Sequence, residues 1–294
     1  MTPFRYLEPE SLEEALILLG TYGDTAKVIA GGTGLINLMK LGLTQPTVLI
    51  GLRLLTELKG LKADGDFTIG ALTTLHVLET SPIVKANIPL LANACHHVAT
   101  IRVRVMATLG GAVAHADPHL DTPPALIALD GRIRARSRRG EREIAADQFF
   151  TGYYETVLEP DELVTAIMVP PQPSRNGTSF LKFLPRTHDD YATVSVAARV
   201  TLGADRSVVD ARVALGAVGW TPIRARSVEH ALRGLRPSKE SFREAASLVK
   251  DEVAPLDSSR GSVEYRRNMA VVHVYRALSE ATLQAGYDIR HHQA

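Results

Sequence analysis

The short apolar run Lys27-Val28-Ile29-Ala30 passes directly into Gly31-Gly32-Thr33-Gly34, and residues 35–41 then read as a helix. A strand that turns through glycines into a helix is a restrictive pattern, because it calls for backbone free to take positive φ and to be approached closely. Successive amides in such a turn can point at one anion, and the following helix adds its positive end. A diphosphate suits that chemistry; an ordinary tight turn is the other reading. The third glycine of the fingerprint G-x-G-x-x-G is missing, and neither a P-loop nor a G-x-S-x-G elbow occurs.

Upstream, Ser11-Leu12-Glu13-Glu14 reads as a capping box, in which Ser11 and Glu14 satisfy helix-start amides reciprocally. Leu12, Ala15, Leu16 and Leu19 follow at helical spacing, and Gly20 and Gly23 end the run. With a strand over 47–52, these segments form a small α/β unit over residues 1–56. A second unit opens on a hairpin, 58–62 and 67–70, that turns at Asp64-Gly65. Helical patterns at 75–79 and 90–98, a glycine-bearing loop at 107–111 and a helix through 125–129 come next. A hairpin, 132–137 and 142–144, and a strand at 164–169 complete it, before Pro170-Pro171-Gln172-Pro173, whose stiff dihedrals suit a linker. Strand-like runs at 180–184, 193–202 and 211–217 then precede helical runs at 224–233, 239–253 and 262–285. Strands first and helices afterwards imply an α+β C-terminal domain, a small antiparallel sheet backed by helices. The expected division is 1–173, with subdomains 1–56 and 57–173, followed by 174–294.

Composition narrows the function classes. Lys plus Arg (33) nearly cancel Asp plus Glu (32), so no global charge draws a polyanion or a membrane surface. Cys95 is the only cysteine, so the chain holds neither a disulfide framework nor an iron–sulfur cluster of its own. The N-terminal residues lack the basic and apolar regions of a signal peptide, and no run approaches the roughly 20 apolar residues of a membrane span. The expectation is a cytoplasmic, soluble protein.

A second candidate site is the stretch from Ala107-Thr108-Leu109-Gly110-Gly111 through Ala114-His115-Ala116-Asp117-Pro118-His119-Leu120-Asp121. Two glycine turns far apart in the chain can grip one extended dinucleotide from both sides. Asp117 and Asp121 flank a proline turn, where a carboxylate can accept hydrogen bonds from ribose hydroxyls. For Asp117 the plainer reading is that it caps the Asp-Pro turn. His115 and His119 have the i, i+4 spacing of metal ligands, but no third ligand stands nearby and no metal is expected.

Together the two loops resemble the FAD-binding medium subunit of the molybdenum hydroxylases, the carbon monoxide dehydrogenase and xanthine dehydrogenase family. That family reads A-G-G-H-S-L where this chain has Ala30-Gly31-Gly32-Thr33-Gly34-Leu35. Its I-R-N-x-G/A-T-I-G-G aligns with Val103-Arg104-Val105-Met106-Ala107-Thr108-Leu109-Gly110-Gly111, and its A-x-A-D-P-x-x-D-x-P with residues 114–123. Thr68-Ile69-Gly70-Ala71-Leu72-Thr73-Thr74, Phe149-Phe150-Thr151-Gly152-Tyr153, Glu162-Leu163-Val164 and Glu264-Tyr265-Arg266-Arg267 extend the likeness along the whole chain.

The resemblance implies the following. The fold would be α+β, a two-subdomain FAD-binding domain of the vanillyl-alcohol-oxidase (PCMH) type plus a C-terminal α+β domain. Backbone amides of Gly31, Gly32, Thr33 and Gly34, flanked by Ala30 and Leu35, would hold the FAD diphosphate. Thr108, Gly110 and Gly111, with Leu109 and Ala114 beside them, would approach from the second loop, and Asp121 would bond a polar group of the ribityl–ribose portion, with Asp117 counted among the cofactor-binding residues. Leu163 would lie near an edge of adenine or flavin, Lys182 would face the flavin, and Tyr191 would cover one face of the isoalloxazine. On the residues alone, Lys182 could equally be a solvated surface lysine and Tyr191 an ordinary strand aromatic. No residue here would act as acid or base on a substrate. The molybdenum cofactor and the 2Fe-2S clusters would sit on a large and a small partner subunit in a heterotrimer or a dimer of heterotrimers. Electrons would pass from the clusters to FAD and on to an external acceptor.

Two departures stand out: Thr33-Gly34 replaces the usual His-Ser, and Val105 the usual Asn. They motivate one rival, a flavin-free scaffold subunit; a free-standing FAD-dependent reductase or oxidase of the same fold is the other.

Overall fold

The computed structural model describes residues 2–184, 186–187 and 189–289. It follows the expected α+β plan, and the differences from the sequence reading have local causes.

The N-terminal unit is a three-stranded parallel sheet in which Val48–Gly51 lies between Arg5–Leu7 and Ala26–Ile29. Helix Leu12–Tyr22 buries Ala15, Leu16 and Leu19 against Val48, Ile50 and Leu52. Ser11 caps it by accepting the Glu14 amide at 3.2 Å. The Glu14 carboxylate takes the amide of Glu10 at 2.8 Å rather than that of Ser11, so only half of the expected capping box forms.

The second unit is a five-stranded antiparallel sheet in the order Leu61–Asp64, Asp66–Gly70, Leu163–Val169, Arg132–Ser137, Gly140–Ala145. The first strand starts later than its apolar pattern suggests. Leu58 closes a 3₁₀ turn, Thr56–Leu58, and Gly60 at φ +107 interrupts the extended backbone. One face of the sheet, including Ile69, Ile133 and Ile167, packs on helices Pro89–His96 and Thr122–Ala128. A further short helix, Pro82–Asn87, escapes a periodicity search because its six residues sit between prolines. The presumed loop at 107–111 is in fact half helix: Leu109–His115 begins inside it, with Thr108 accepting the Gly111 amide at 3.1 Å.

The C-terminal sheet is antiparallel, Asn176–Phe183, Val194–Leu202, Val208–Gly216 and Ile223–Arg224 in that order. Every residue of Val194–Leu202 is buried because the sheet is covered on both faces. Val196, Ala198 and Val200 meet helices including Val263–Gln284, whereas Ala197 shares a core with Ala125 and Leu126 of Thr122–Ala128. On that second face Arg199, 4% exposed, reaches at 2.7 Å the carboxylate of Asp130, in the turn between helix Thr122–Ala128 and strand Arg132–Ser137, and so ties that turn to the C-terminal sheet. Among the described residues no helix is long and apolar enough to cross a membrane.

Candidate functional site

The strand Ala26–Ile29 delivers the first glycine loop to one side of a cleft. Gly32 takes φ +70, and helix Leu35–Lys40 follows. Carbonyls of the loop turn into that helix: Gly32 accepts from the Ile36 amide at 3.1 Å, and Thr33 from the Asn37 side chain at 3.0 Å. The amides turn the other way. Those of Gly31, Gly32, Thr33, Gly34 and Leu35 have no hydrogen-bond acceptor among the described residues, and all five residues are half-buried. Five neighbouring donors left open in this way are the fingerprint of an anion cradle.

The second loop lies directly against the first. A methyl group built on Gly31 would overlap the carbonyl oxygen of Met106, and one on Gly34 would stand 2.5 Å from Nε2 of His115. One on Gly111 would stand 3.7 Å from Cβ of Ala30. Gly34 therefore makes room for an imidazole supplied by the other segment, a physical reason for the departure at that position. The second loop's amides already have acceptors: Leu109 donates to the carbonyl of Thr73, Gly110 to that of Ala71, and Gly111 to the Thr108 hydroxyl. Gly110 is needed for packing, since a Cβ there would meet Cβ of Ala71 at 2.5 Å. The Leu109 side chain is fully buried in the core of the second unit. Ala114 is exposed, and Ala30 and Leu35 are half-buried.

Beyond His115 the cleft is lined by a connected set of polar groups. Asp117, 3% exposed, accepts the His119 amide at 2.9 Å and His119 Nδ1 at 3.0 Å on one oxygen, and the Tyr154 hydroxyl at 2.9 Å on the other. Burial pushes its carboxyl up, but the two hydrogen bonds from His119 and that from Tyr154 help bring it below its ordinary value. Its bonds to His119 make it a turn cap, the plainer of the two readings. Tyr154 sits at φ +60 and sets its ring edge-on to His115, 5.0 Å between centroids. Burial lowers the His115 pKa, which favours the neutral imidazole. His119 in turn meets Tyr191 at 5.7 Å. Tyr191 is 45% exposed, and burial followed by the Asp117 charge pushes its hydroxyl up to about 12. The two histidines thus face different partners.

Lys182 and Asp121 form a buried pair. The ammonium, on a side chain 2% exposed, donates to Oδ2 of Asp121 at 2.8 Å and to the His97 carbonyl at 2.9 Å. Oδ1 of Asp121 is buried with no hydrogen-bond partner among the described residues. Burial outweighs the Lys182 charge and pushes the Asp121 carboxyl up to about 6. Leu163 stands apart from these groups, packed with Leu58 and Leu72 in the core of the N-terminal unit.

Sequence reasoning passed over four contributors: the backbone of Met106, the ring of Tyr154, the imidazole of His115 as a neighbour of Gly34, and Arg260, whose guanidinium lies 5.5 Å from the Tyr191 ring centroid. A signal existed only for Tyr154, which directly follows the aromatic-rich segment 149–153. Open amides, a glycine held against a facing backbone and an orphaned carboxylate oxygen together fit an extended dinucleotide with an anionic centre and hydroxyl groups.

A family model described as the FAD binding domain in molybdopterin dehydrogenase matches residues 2–172, well over half of the chain. The chain belongs to this family. Residues 179–281 match the CO dehydrogenase flavoprotein C-terminal domain. The carbon monoxide dehydrogenase medium chain of Afipia carboxidovorans is 35% identical over 283 residues, 96% of this chain and 98% of that one. A solved carbon monoxide dehydrogenase of Hydrogenophaga pseudoflava, one lacking the Mo-pyranopterin moiety of its molybdenum cofactor, superposes with a TM-score of 0.93 at 37% identity, covering 96% of this chain and 98% of that one. Quinoline 2-oxidoreductase of Pseudomonas putida 86 gives 0.91 at 31% identity, covering 97% and 99%. The chain is thus a medium subunit of the molybdenum hydroxylase family, and its relatives are oxidoreductase subunits.

Proposed function

We propose that this chain holds FAD between its two glycine loops and carries electrons within a heterotrimeric molybdenum hydroxylase, receiving them from the iron–sulfur clusters of a small subunit and passing them to an external acceptor. The observation that carries the reading is the row of five open amides, Gly31 to Leu35, facing a second segment that Gly31 allows into contact. When bound, FAD supplies a ring system that exchanges electrons one or two at a time, which couples cluster chemistry to a two-electron partner.

The chain's own residues bind, orient and exclude water. Amides of the first loop neutralise the diphosphate, with Thr33 adding a hydroxyl. Thr108 fixes the start of the opposing helix so that Gly111 stays beside Ala30. Asp121 offers its unpartnered oxygen to a nucleotide hydroxyl, while Lys182 holds the carboxylate in place. Tyr191, half-exposed at the cleft, covers one face of the isoalloxazine. Asp117 acts through His119 and Tyr154, setting the wall on which Tyr191 rests. Asp117 is engaged by His119 and Tyr154, and Asp121 by Lys182, so these carboxylates shape the cleft, and no residue of this chain is assigned acid or base work on a substrate. The remaining subunits would carry the molybdenum cofactor and the clusters, in keeping with the single cysteine of this chain.

The test is to express the chain alone and together with its neighbouring subunits. Alone it should retain one FAD, be left unbleached by NADPH under anaerobic conditions and turn over no substrate; in the complex, substrate added to the molybdenum subunit should bleach the flavin. A colourless chain after reconstitution, or rapid bleaching of the isolated chain by NADPH, contradicts the proposal.

A further inference from the structure

Lys182, the cation expected to face the flavin, is paired with Asp121. A different cation stands beside the cleft. The Arg260 guanidinium lies over the Tyr191 ring at 5.5 Å from its centroid, with the His119 imidazole tilted 66° against the same ring. The backbone of Arg260 is fixed on both sides: its carbonyl accepts the Thr193 hydroxyl at 3.3 Å, and its amide donates to the Ser258 hydroxyl at 3.2 Å.

Charge around it is poorly balanced. Arg260 lies 3.9 Å from Asp190, which is also engaged by Arg186 at 3.3 Å. Close by is Arg266, 4% exposed, which donates only to carbonyls, those of Thr193, Leu256 and Ala217. Among the described residues, Asp190 is the one carboxylate within ion-pair reach of Arg186 and Arg260, and Arg266 has none. A buried cation satisfied only by dipoles keeps its field, and that field is felt most across the low-dielectric side of a cleft.

We infer that Arg260 is a positioning residue for the bound cofactor: stacked on Tyr191 and reinforced by Arg266, it sets the tyrosine ring against the isoalloxazine and favours the reduced, more negatively charged form of the ring system. The inference rests on the flavin-holding function proposed above. A planar guanidinium on an aromatic face fixes the ring's tilt, and its charge acts through the ring on whatever lies on the far side.

The experiment uses the full chain reconstituted with FAD and compares wild type, Arg260→Gln and Arg260→Lys. The flavin midpoint potential is read by dye-linked reductive titration, and FAD affinity by fluorescence. Arg260→Gln should lower the midpoint potential while its FAD dissociation constant stays within about fivefold of wild type, the scale of one exposed cation–π contact. Arg260→Lys, which keeps the charge, should stay near the wild-type potential. An unchanged potential in Arg260→Gln overturns the inference, as does an equal fall in Arg260→Lys. An Arg260→Gln chain that no longer holds FAD also overturns it, by making Arg260 an ordinary binding residue. Failure of the wild-type chain itself to bind FAD would instead defeat the function on which the inference rests.

Discussion

Gly31 and Met106, far apart in the chain, hold their backbones in direct contact: any side chain at Gly31 would overlap the Met106 carbonyl. That contact closes the cleft, because the loop ending at Met106 can approach the open amides only where Gly31 carries no Cβ. The facing atom is backbone, so it cannot swing aside as a flexible side chain would.

Gly31→Ala should therefore separate the loops. The expected outcome is loss of FAD through gel filtration and a destabilisation of about 1–3 kcal/mol, typical of an overpacked contact. Gly20→Ala is the control: it lies in helix Leu12–Tyr22 with nothing within 4 Å of an added Cβ, and should gain about 0.5–1 kcal/mol with flavin content unchanged. Flavin-to-protein absorbance ratios and chemical denaturation measure both.

Gly32→Asp tests the anion cradle itself. It forces a side chain into φ +70 and sets a negative charge beside the amides. The purified variant should be colourless yet folded by far-UV circular dichroism; wild-type flavin content would contradict the assignment of the first loop.

The Lys182–Asp121 pair makes a prediction about stability and pH. Lys182→Met leaves a buried carboxylate unpaired and should cost about 3–5 kcal/mol, whereas Lys182→Met with Asp121→Leu should recover most of the loss. In the folded chain burial pushes Asp121 up to about 6, above its unfolded value of about 3.9. Between those two values the folded state keeps a proton that the unfolded state has released. Its contribution therefore falls as pH rises from about 4 to about 6 and is level above that. Asp117, Glu79 and Asp130 are shifted downwards and act in the opposite sense. The prediction is thus a difference: the stability of wild type minus that of Asp121→Asn should decline across this window. A flat difference would argue against a raised Asp121.

Tyr191→Ala should uncover the isoalloxazine. Fluorescence of the bound flavin should rise as the stacked ring is lost, with the diphosphate contacts keeping FAD in place. An identical emission spectrum would argue against stacking.

The sequence made the first loop legible because its signal is local: an apolar strand, glycines and a helical run within fifteen residues of one another. The same holds for the α+β plan, since hairpin turns and helix caps are written in neighbouring residues. What stayed hidden was long-range. Gly110 also packs against Ala71, and the presumed loop around it is the first turn of a helix capped by Thr108. The pairing of Lys182 with Asp121 spans a gap in sequence that no pattern bridges. Tyr154, with its left-handed backbone, reaches Asp117 from 37 positions along the chain and sets its ring against His115. The second half of the capping box failed for a local reason instead: Glu14 takes the amide of Glu10, four residues back, rather than the cap's own.

The most direct test of the central claim is a crystal structure of the chain grown with excess FAD. The diphosphate oxygens should lie within hydrogen-bond distance of the amides of Gly31 to Leu35, with the second loop still against Gly31. Flavin bound elsewhere, or no flavin between the loops at saturating concentration, would contradict it.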